Sequence, residues 1–185
     1  MKKTKAAMIL LAAASVFAAC SKGNEHLSRD LYSPLTTVTF NMPVITEIAK
    51  SQTIVEFETP LNLDSIVKNT AGADYSVSDI KSIKLRSLRL DVVDFDTTYN
   101  FRLVDSLQVQ LRNGQDTTAR LAQTISNPDF SLQTLNPTLS AQQPELQRFF
   151  RNSSFLYVIT GRMRRVNTKP FRINMTAQYK ITVGD

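Results

Sequence analysis

From Pro34 onward, apolar and polar side chains alternate in short blocks separated by proline, glycine and asparagine. A period of two puts alternate side chains on opposite faces of a pleated strand, so these blocks read as strands. Thr36-Thr37-Val38-Thr39-Phe40 suits an extended segment, which Pro43 ends. Thr53 to Glu58 is the next strand, stopped by Pro60. Asn62 to Asn69 reads as a short helix or turn, with Asn62 as N-cap and Leu63, Ile66 and Val67 on one face. A second helical turn is expected near Ser78-Asp79-Ile80.

Ile83 and Leu85 keep one phase, and Leu88, Leu90 and Val92 continue one residue out of step. Such a slip marks either a β-bulge or two strands meeting at a corner. Phe101 and Leu103 alternate, then Leu107, Val109 and Leu111 do, and Asn113-Gly114 is a hairpin-turn signal. The return strand is Thr118 to Ala122. Residues 127–143 are polar and carry Pro128 and Pro137, so they read as a long connection. Pro144 to Phe150 fits one or two helical turns with proline at the first position.

Phe155, Tyr157, Ile159 and Met163 share one face of an outgoing strand. On the return, Phe171, Ile173, Met175, Ala177, Tyr179, Ile181 and Val183 alternate with polar side chains without a break. The two segments predict a C-terminal antiparallel hairpin with one wet face. Roughly seven strands and few helices predict a mainly all-β chain: an antiparallel β-sandwich, immunoglobulin-like or jelly-roll-like, with one or two short helices. No internal repeat is evident.

The N-terminus has a different pattern. Met1-Lys2-Lys3-Thr4-Lys5 is basic, and Ala6 to Ala19 is apolar and ends in small residues before Cys20. This order is that of a secretory signal peptide. The apolar run of 14 positions is shorter than the ~20 residues a membrane-spanning helix needs. With Cys20 directly after Phe17-Ala18-Ala19, the segment resembles a bacterial lipoprotein signal. The resemblance implies removal of residues 1–19 and acylation of the Cys20 thiol with chains such as palmitate. Residues 20–33 hold few apolar side chains and read as a lipidated flexible tether, and 34–185 has the length of a single domain, the sandwich. Several acyl chains hold a protein at a membrane stably, whereas one is marginal. Ser21 follows the cysteine in place of an aspartate, which by the bacterial sorting rule implies the outer membrane, with the leaflet face open. Ser21-Lys22-Gly23-Asn24-Glu25 faintly resembles the lysine-plus-acidic export tags of Bacteroidetes surface lipoproteins.

Further along, Ile83 to Leu90, then Asp105 to Leu111 before Asn113-Gly114, then Phe171 to Val183 resemble small lipoproteins of Bacteroidetes-type bacteria. That resemblance implies a location and a β-sandwich, and carries over no site residue.

Charge and rare residues narrow the chemistry. The chain of 185 residues has a formal charge of +6, and loss of Lys2, Lys3 and Lys5 lowers it to +3. So modest an excess gives no ground for a nucleic-acid partner. Cys20 is the only cysteine, which excludes an internal disulfide. His26, the only histidine, lies in the expected tether. A Ser-His-Asp or Cys-His arrangement on a rigid scaffold and a Cys/His zinc site are therefore excluded. No cofactor is expected. Tryptophan is absent, which disfavours a sugar-stacking platform, although ten Phe and five Tyr could substitute.

Four groups are candidates for a site. Asp91, Asp94 and Asp96 could hold Ca²⁺ or could solvate a turn, and their spacing lacks the glycine and terminal glutamate of a calcium loop. Arg162, Arg164, Arg165, Lys169 and Arg172 crowd the predicted hairpin tip with no acid between them. They form either a contact for lipid phosphates or an acidic protein surface, or a solvated end that discourages edge pairing. Leu146 with Phe149-Phe150 forms either an apolar patch for a partner or acyl chain, or part of the core. Glu56, Glu58, Asp64 and Asp105 are the remaining acids near predicted elements, and nothing marks two of them as a catalytic pair.

These readings converge on a non-enzymatic binding or accessory module of the bacterial cell envelope, anchored through Cys20 and meeting another envelope protein. The alternatives are a carrier or sensor of an apolar ligand such as lipid, and, behind it, a small hydrolase. A carrier requires an apolar cavity between the sheets, a docking module a filled core and an exposed patch, and a hydrolase paired carboxylates in one cleft.

Overall fold

A computed structural model describes residues 28–60, 62–71, 75–113, 117–150 and 154–184. Cys20, His26 and Gly114 lie outside the described residues. The strands are β1 (Arg29–Tyr32), β2 (Thr36–Met42), β3 (Ser51–Pro60), β4 (Ile80–Val92), β5 (Val104–Asn113), β6 (Thr117–Thr124), β7 (Thr134–Leu135), β8 (Thr138–Leu139), β9 (Ser154–Met163) and β10 (Phe171–Val183). They form two antiparallel sheets. In sheet A, β1 and β2 lie end to end along one edge of β10, followed by β4 and β7. Sheet B runs β3, β9, β5, β6, β8. The chain is therefore an all-β sandwich.

The seven strands expected from the pattern are all present, joined by the short β1, β7 and β8. The phase slip in the Ile83–Val92 region is a bulge inside one continuous strand. Leu85 pairs with Tyr179 and Ser87 with Gln178, which leaves Arg86 as the extra residue. The helix α1 (Leu63–Ala71) begins as expected, with the Asn62 side chain accepting the Ser65 N–H at 2.9 Å. Leu63 and Val67 are buried beneath it. The second turn is a 3-10 turn over Val77–Asp79.

The C-terminal hairpin is corrected. β9 pairs with β3 and β5 in sheet B, and β10 pairs with β1, β2 and β4 in sheet A. The two strands face each other across the core, and residues 164–170 carry the chain from one sheet to the other. Alternation fixes which side chains face inward but is the same for a hairpin and a sheet crossing. Each strand buries the face that the pattern assigned to it.

Three other boundaries move. The expected tether over 20–33 gives way to β1 at Arg29, because Ser33 joins β1 to β2. Its N–H donates to the Tyr179 carbonyl at 2.9 Å, and its Oγ accepts the Tyr179 N–H at 2.9 Å in place of a backbone carbonyl. Phe101–Leu103 is a 3-10 turn rather than strand, since Asn100 Oδ1 takes the Arg102 N–H at 2.9 Å. The expected helix from Pro144 reduces to a 3-10 turn over Gln147–Phe149. Here Glu145 is spent on the β4 edge, accepting from Ile83 N–H and Ser82 Oγ, both at 2.7 Å. Within the long connection, β7 adds to β4 and β8 to β6, so the segment covers one edge of each sheet. Covered edges do not pair with other chains.

The core lies between the inward faces. Phe40 stacks on Phe57 at 5.3 Å, Phe57 meets Tyr157 at 5.4 Å, and Phe150 contacts Phe155 at 4.7 Å and Tyr179 at 5.2 Å. Leu146, Phe149 and Phe150 are buried, so this group belongs to the core.

Candidate functional site: a pole of four loops

At one end of the sandwich, β2, β4, β6 and β9 all finish together. The register shows this: Met42 pairs with Phe171, Val92 with Ile173, Thr124 with Leu107 and Met163 with Val104. Residues 43–50, 93–103, 125–133 and 164–170 therefore converge on one pole. Arg29 pairs with Val183, so the described chain both begins and ends at the opposite pole.

Three buried asparagines hold these loops. Asn167 Oδ1 accepts the Ile45 N–H at 2.8 Å, while its Nδ2 donates to the Pro43 carbonyl at 2.7 Å and the Lys169 carbonyl at 3.1 Å. Asn127 Nδ2 donates to the Phe101 carbonyl at 2.6 Å and the Val104 carbonyl at 3.1 Å. Asn100 Nδ2 reaches the Asp96 carbonyl at 2.9 Å. A buried amide that serves two loops fixes their spacing, because losing it would strand backbone groups without partners.

The basic cluster expected at a hairpin tip sits on this pole, interleaved with carboxylates from other loops. Arg162 and Arg164 both pair with Asp105. Arg165 pairs with Asp129 at 2.9 Å, as does Arg102 at 2.8 Å. These two hydrogen-bonded cations, Arg102 first, hold the Asp129 carboxyl below its ordinary value. Arg172 grips Asp94 through two nitrogens at 2.9–3.1 Å. Lys169 places its ammonium 4.4 Å from the Tyr99 ring centroid, a cation–π contact.

Asp91, Asp94 and Asp96 go separate ways. Asp91 bonds Arg89 and, at 2.6 Å, Thr134. Burial pushes the Asp91 carboxyl up, and those two hydrogen bonds outweigh it. Asp96 accepts the Tyr99 and Thr98 N–H groups, both at 2.6 Å, which lower its pKa. Among the described residues no three His, Cys, Asp or Glu side chains gather as metal ligands. A cleft of about 340 Å³ touches Asp94, Asp96, Lys169 and Arg172, but its carboxylates already have partners. Of the other acids, Glu56 pairs with Arg112 and Asp64 with Lys68, and Glu58 is exposed.

The pole also carries what the sequence did not mark. Val44 and Ile48 are exposed on the first loop, Val93 and Phe95 on the second, Ile125 and Phe130 on the third, and Val166 on the fourth. These are seven of the ten exposed large apolar side chains among the described residues. Single exposed apolar residues are ordinary, but a concentration on one surface is not. No spacing rule flags them, because they lie in irregular segments. The asparagines gave no signal either, since loop asparagines are usually solvated. Among the described residues no helix is long and apolar enough to cross a membrane. No known protein family matches the chain, and no curated protein matches it.

Proposed function

We propose that this chain is a non-enzymatic binding or accessory module of a bacterial cell envelope, lipid-anchored at Cys20, that meets a protein partner with its four-loop pole. The observation that carries this reading is the gathering of exposed apolar side chains on loops tied in pairs by Asn127 and Asn167, with Asn100 bracing the second loop from within. Loops held in one arrangement lose little freedom on docking, so more of the contact energy appears as affinity. Polarity supports the reading as well. An anchor at Cys20 joins the sandwich through Ser28 and Arg29, which lie at the pole opposite the four loops.

The filled core weighs against a carrier. An apolar ligand between the sheets needs empty apolar space, and the middle of the sandwich is occupied by Phe57, Phe150, Phe155, Tyr157 and Tyr179. The test is native mass spectrometry of the full lipidated chain, taken from its own membrane in mild detergent. A stoichiometric protein partner that is lost on joint Ile125→Ser and Phe130→Ser substitution is the expected result. A lone chain carrying extra small-molecule mass would overturn the reading in favour of the carrier.

A further inference from the structure

The outer face of sheet B carries a straight row of uncharged polar residues, one from each strand. Thr53 pairs with Thr160, Thr160 with Gln108, Gln108 with Gln123, and Gln123 with Thr138. Directly paired residues point to the same face. None of the five is buried, and their neighbours Leu107, Val109, Ile159 and Gly161 face inward. Strands about 4.8 Å apart give the row a length of about 19 Å.

These side chains are uncommitted. No side-chain hydrogen bond joins any of the five to another described residue. Sheet A behaves differently: there Thr37 bonds Thr176 at 2.9 Å, Thr39 bonds Asn174 at 2.7 Å, and Thr182 bonds Asp30 at 2.8 Å. Two surface clefts, of about 270 Å³ and 600 Å³, touch the row from Thr160 to Thr138 and share Gln123, with Thr53 beyond them. Ile125, 74% exposed, forms an apolar wall of the first. The flanking cations Arg162 and Arg112 are already held by Asp105 and Glu56, and Arg120 stands at the rim of the second cleft.

We infer that this row is a binding site for a neutral glycan chain laid across the five strands. Each glutamine amide offers one acceptor and two N–H donors, and each threonine hydroxyl both donates and accepts. Sugar hydroxyls need that mixture. The row repeats once per strand, at a spacing close to that of successive rings in an extended glycan, so successive sugars meet equivalent groups. A peptide would use its main chain along a free strand edge, but the row lies on the face of the sheet and crosses the strands, three of them paired on both sides. An acidic polymer would need cations along the whole row, whereas Arg120 and Arg148 both stand at the second cleft, at one end of it. With Ile125 in place of an aromatic platform, single contacts are weak, because each exchanges a water hydrogen bond for a sugar one. Repetition along the chain supplies the affinity.

The test is saturation-transfer NMR on the full chain in detergent micelles. The probes are neutral hexasaccharides of glucose, mannose and N-acetylglucosamine, an oligogalacturonate, and an uncharged extended peptide. Transfer to at least one neutral hexasaccharide is expected. Joint Gln108→Ala and Gln123→Ala substitution should weaken it about tenfold, with the melting temperature unchanged, and Thr160→Val should weaken it less. No transfer to any neutral hexasaccharide overturns the inference. So does transfer that survives the double substitution, or a preference for the oligogalacturonate or the peptide. The partner reading at the loop pole stands or falls separately, because its test reads a protein mass and Phe130, unlike Ile125, lines neither cleft.

Discussion

Tyr157 of β9 and Tyr179 of β10 meet hydroxyl to hydroxyl in the middle of the core, one from each sheet, and both are fully buried. Each hydroxyl is the hydrogen-bond partner that the other has. Removing one leaves its mate desolvated and unpaired, which costs about 1–3 kcal/mol. Removing both leaves two rings of nearly the same shape with no stranded polar atom. Tyr157→Phe and Tyr179→Phe are each expected to destabilise the fold by that amount, and the double substitution by clearly less than the sum. Urea denaturation of the four proteins forms the cycle. Additive losses would show that the hydroxyls do not depend on each other.

The same pair gives the fold an alkaline limit. Burial pushes both phenols above their ordinary value of 10.0. An unfolded tyrosine releases its proton near that value while the folded pair keeps its own, so above pH 10 the native state binds more protons than the unfolded one. Stability is then full below the unfolded value and falls as pH rises beyond it. Denaturation midpoints from pH 8 to 11.5 should drop steeply in the wild type and less in the double phenylalanine variant.

Gly161 tests how closely sheet B is packed. A Cβ there would stand 2.6 Å from the Ser106 carbonyl oxygen and 2.8 Å from Ile54 Cδ1. The isoleucine can move, but the carbonyl belongs to a paired strand. Ile54 and Asp105 are both extra residues at bulges beside β9, so the sheet is already adjusted around this position. Gly161→Ala is expected to cost about 1–3 kcal/mol through overpacking. Thr160→Ala, one residue away on the outer face, should cost far less. Thermal melts of the two variants decide it.

Much of this fold is legible in the chain because β period and burial agree. The slip between Leu85 and Leu88 foretells the bulge at Arg86, and Asn62 foretells the start of α1. Partner choice is not legible. The strands around Tyr157 and Tyr179 alternate as a hairpin would, and their separation into two sheets is decided by the connection 164–170, where Asn167 turns inward. Basic residues drew attention to that connection because charge is visible in a sequence. Their neutralisation by Asp105, Asp129 and Asp94 is not visible, because the acids arrive from 36 to 78 residues away. For the same reason the row from Thr53 to Thr138 cannot be read without the register.

Asn167 links that connection to the first loop and lets the rigidity of the pole be measured. Its side chain is the partner of the Ile45 N–H and the Pro43 carbonyl, and it also receives its own support from the Lys169 carbonyl. Asn167→Ala removes all three bonds at a buried position and leaves Ile45 and Pro43 unpaired, a loss of about 1–3 kcal/mol. The damage should be local first, since Val44 and Ile48 lie exposed on the freed loop while β2 and β3 on either side remain in their sheets. Limited proteolysis is expected to cut within residues 43–50 in Asn167→Ala at protease levels that leave the wild type whole. Hydrogen exchange should quicken at the Ile45 amide before it does in β10. If the pole docks a partner as a preorganised surface, partner affinity should fall in this variant even though no exposed side chain has been altered. Unchanged affinity in a variant with a demonstrably loosened loop would show that rigidity of the first loop contributes nothing to docking.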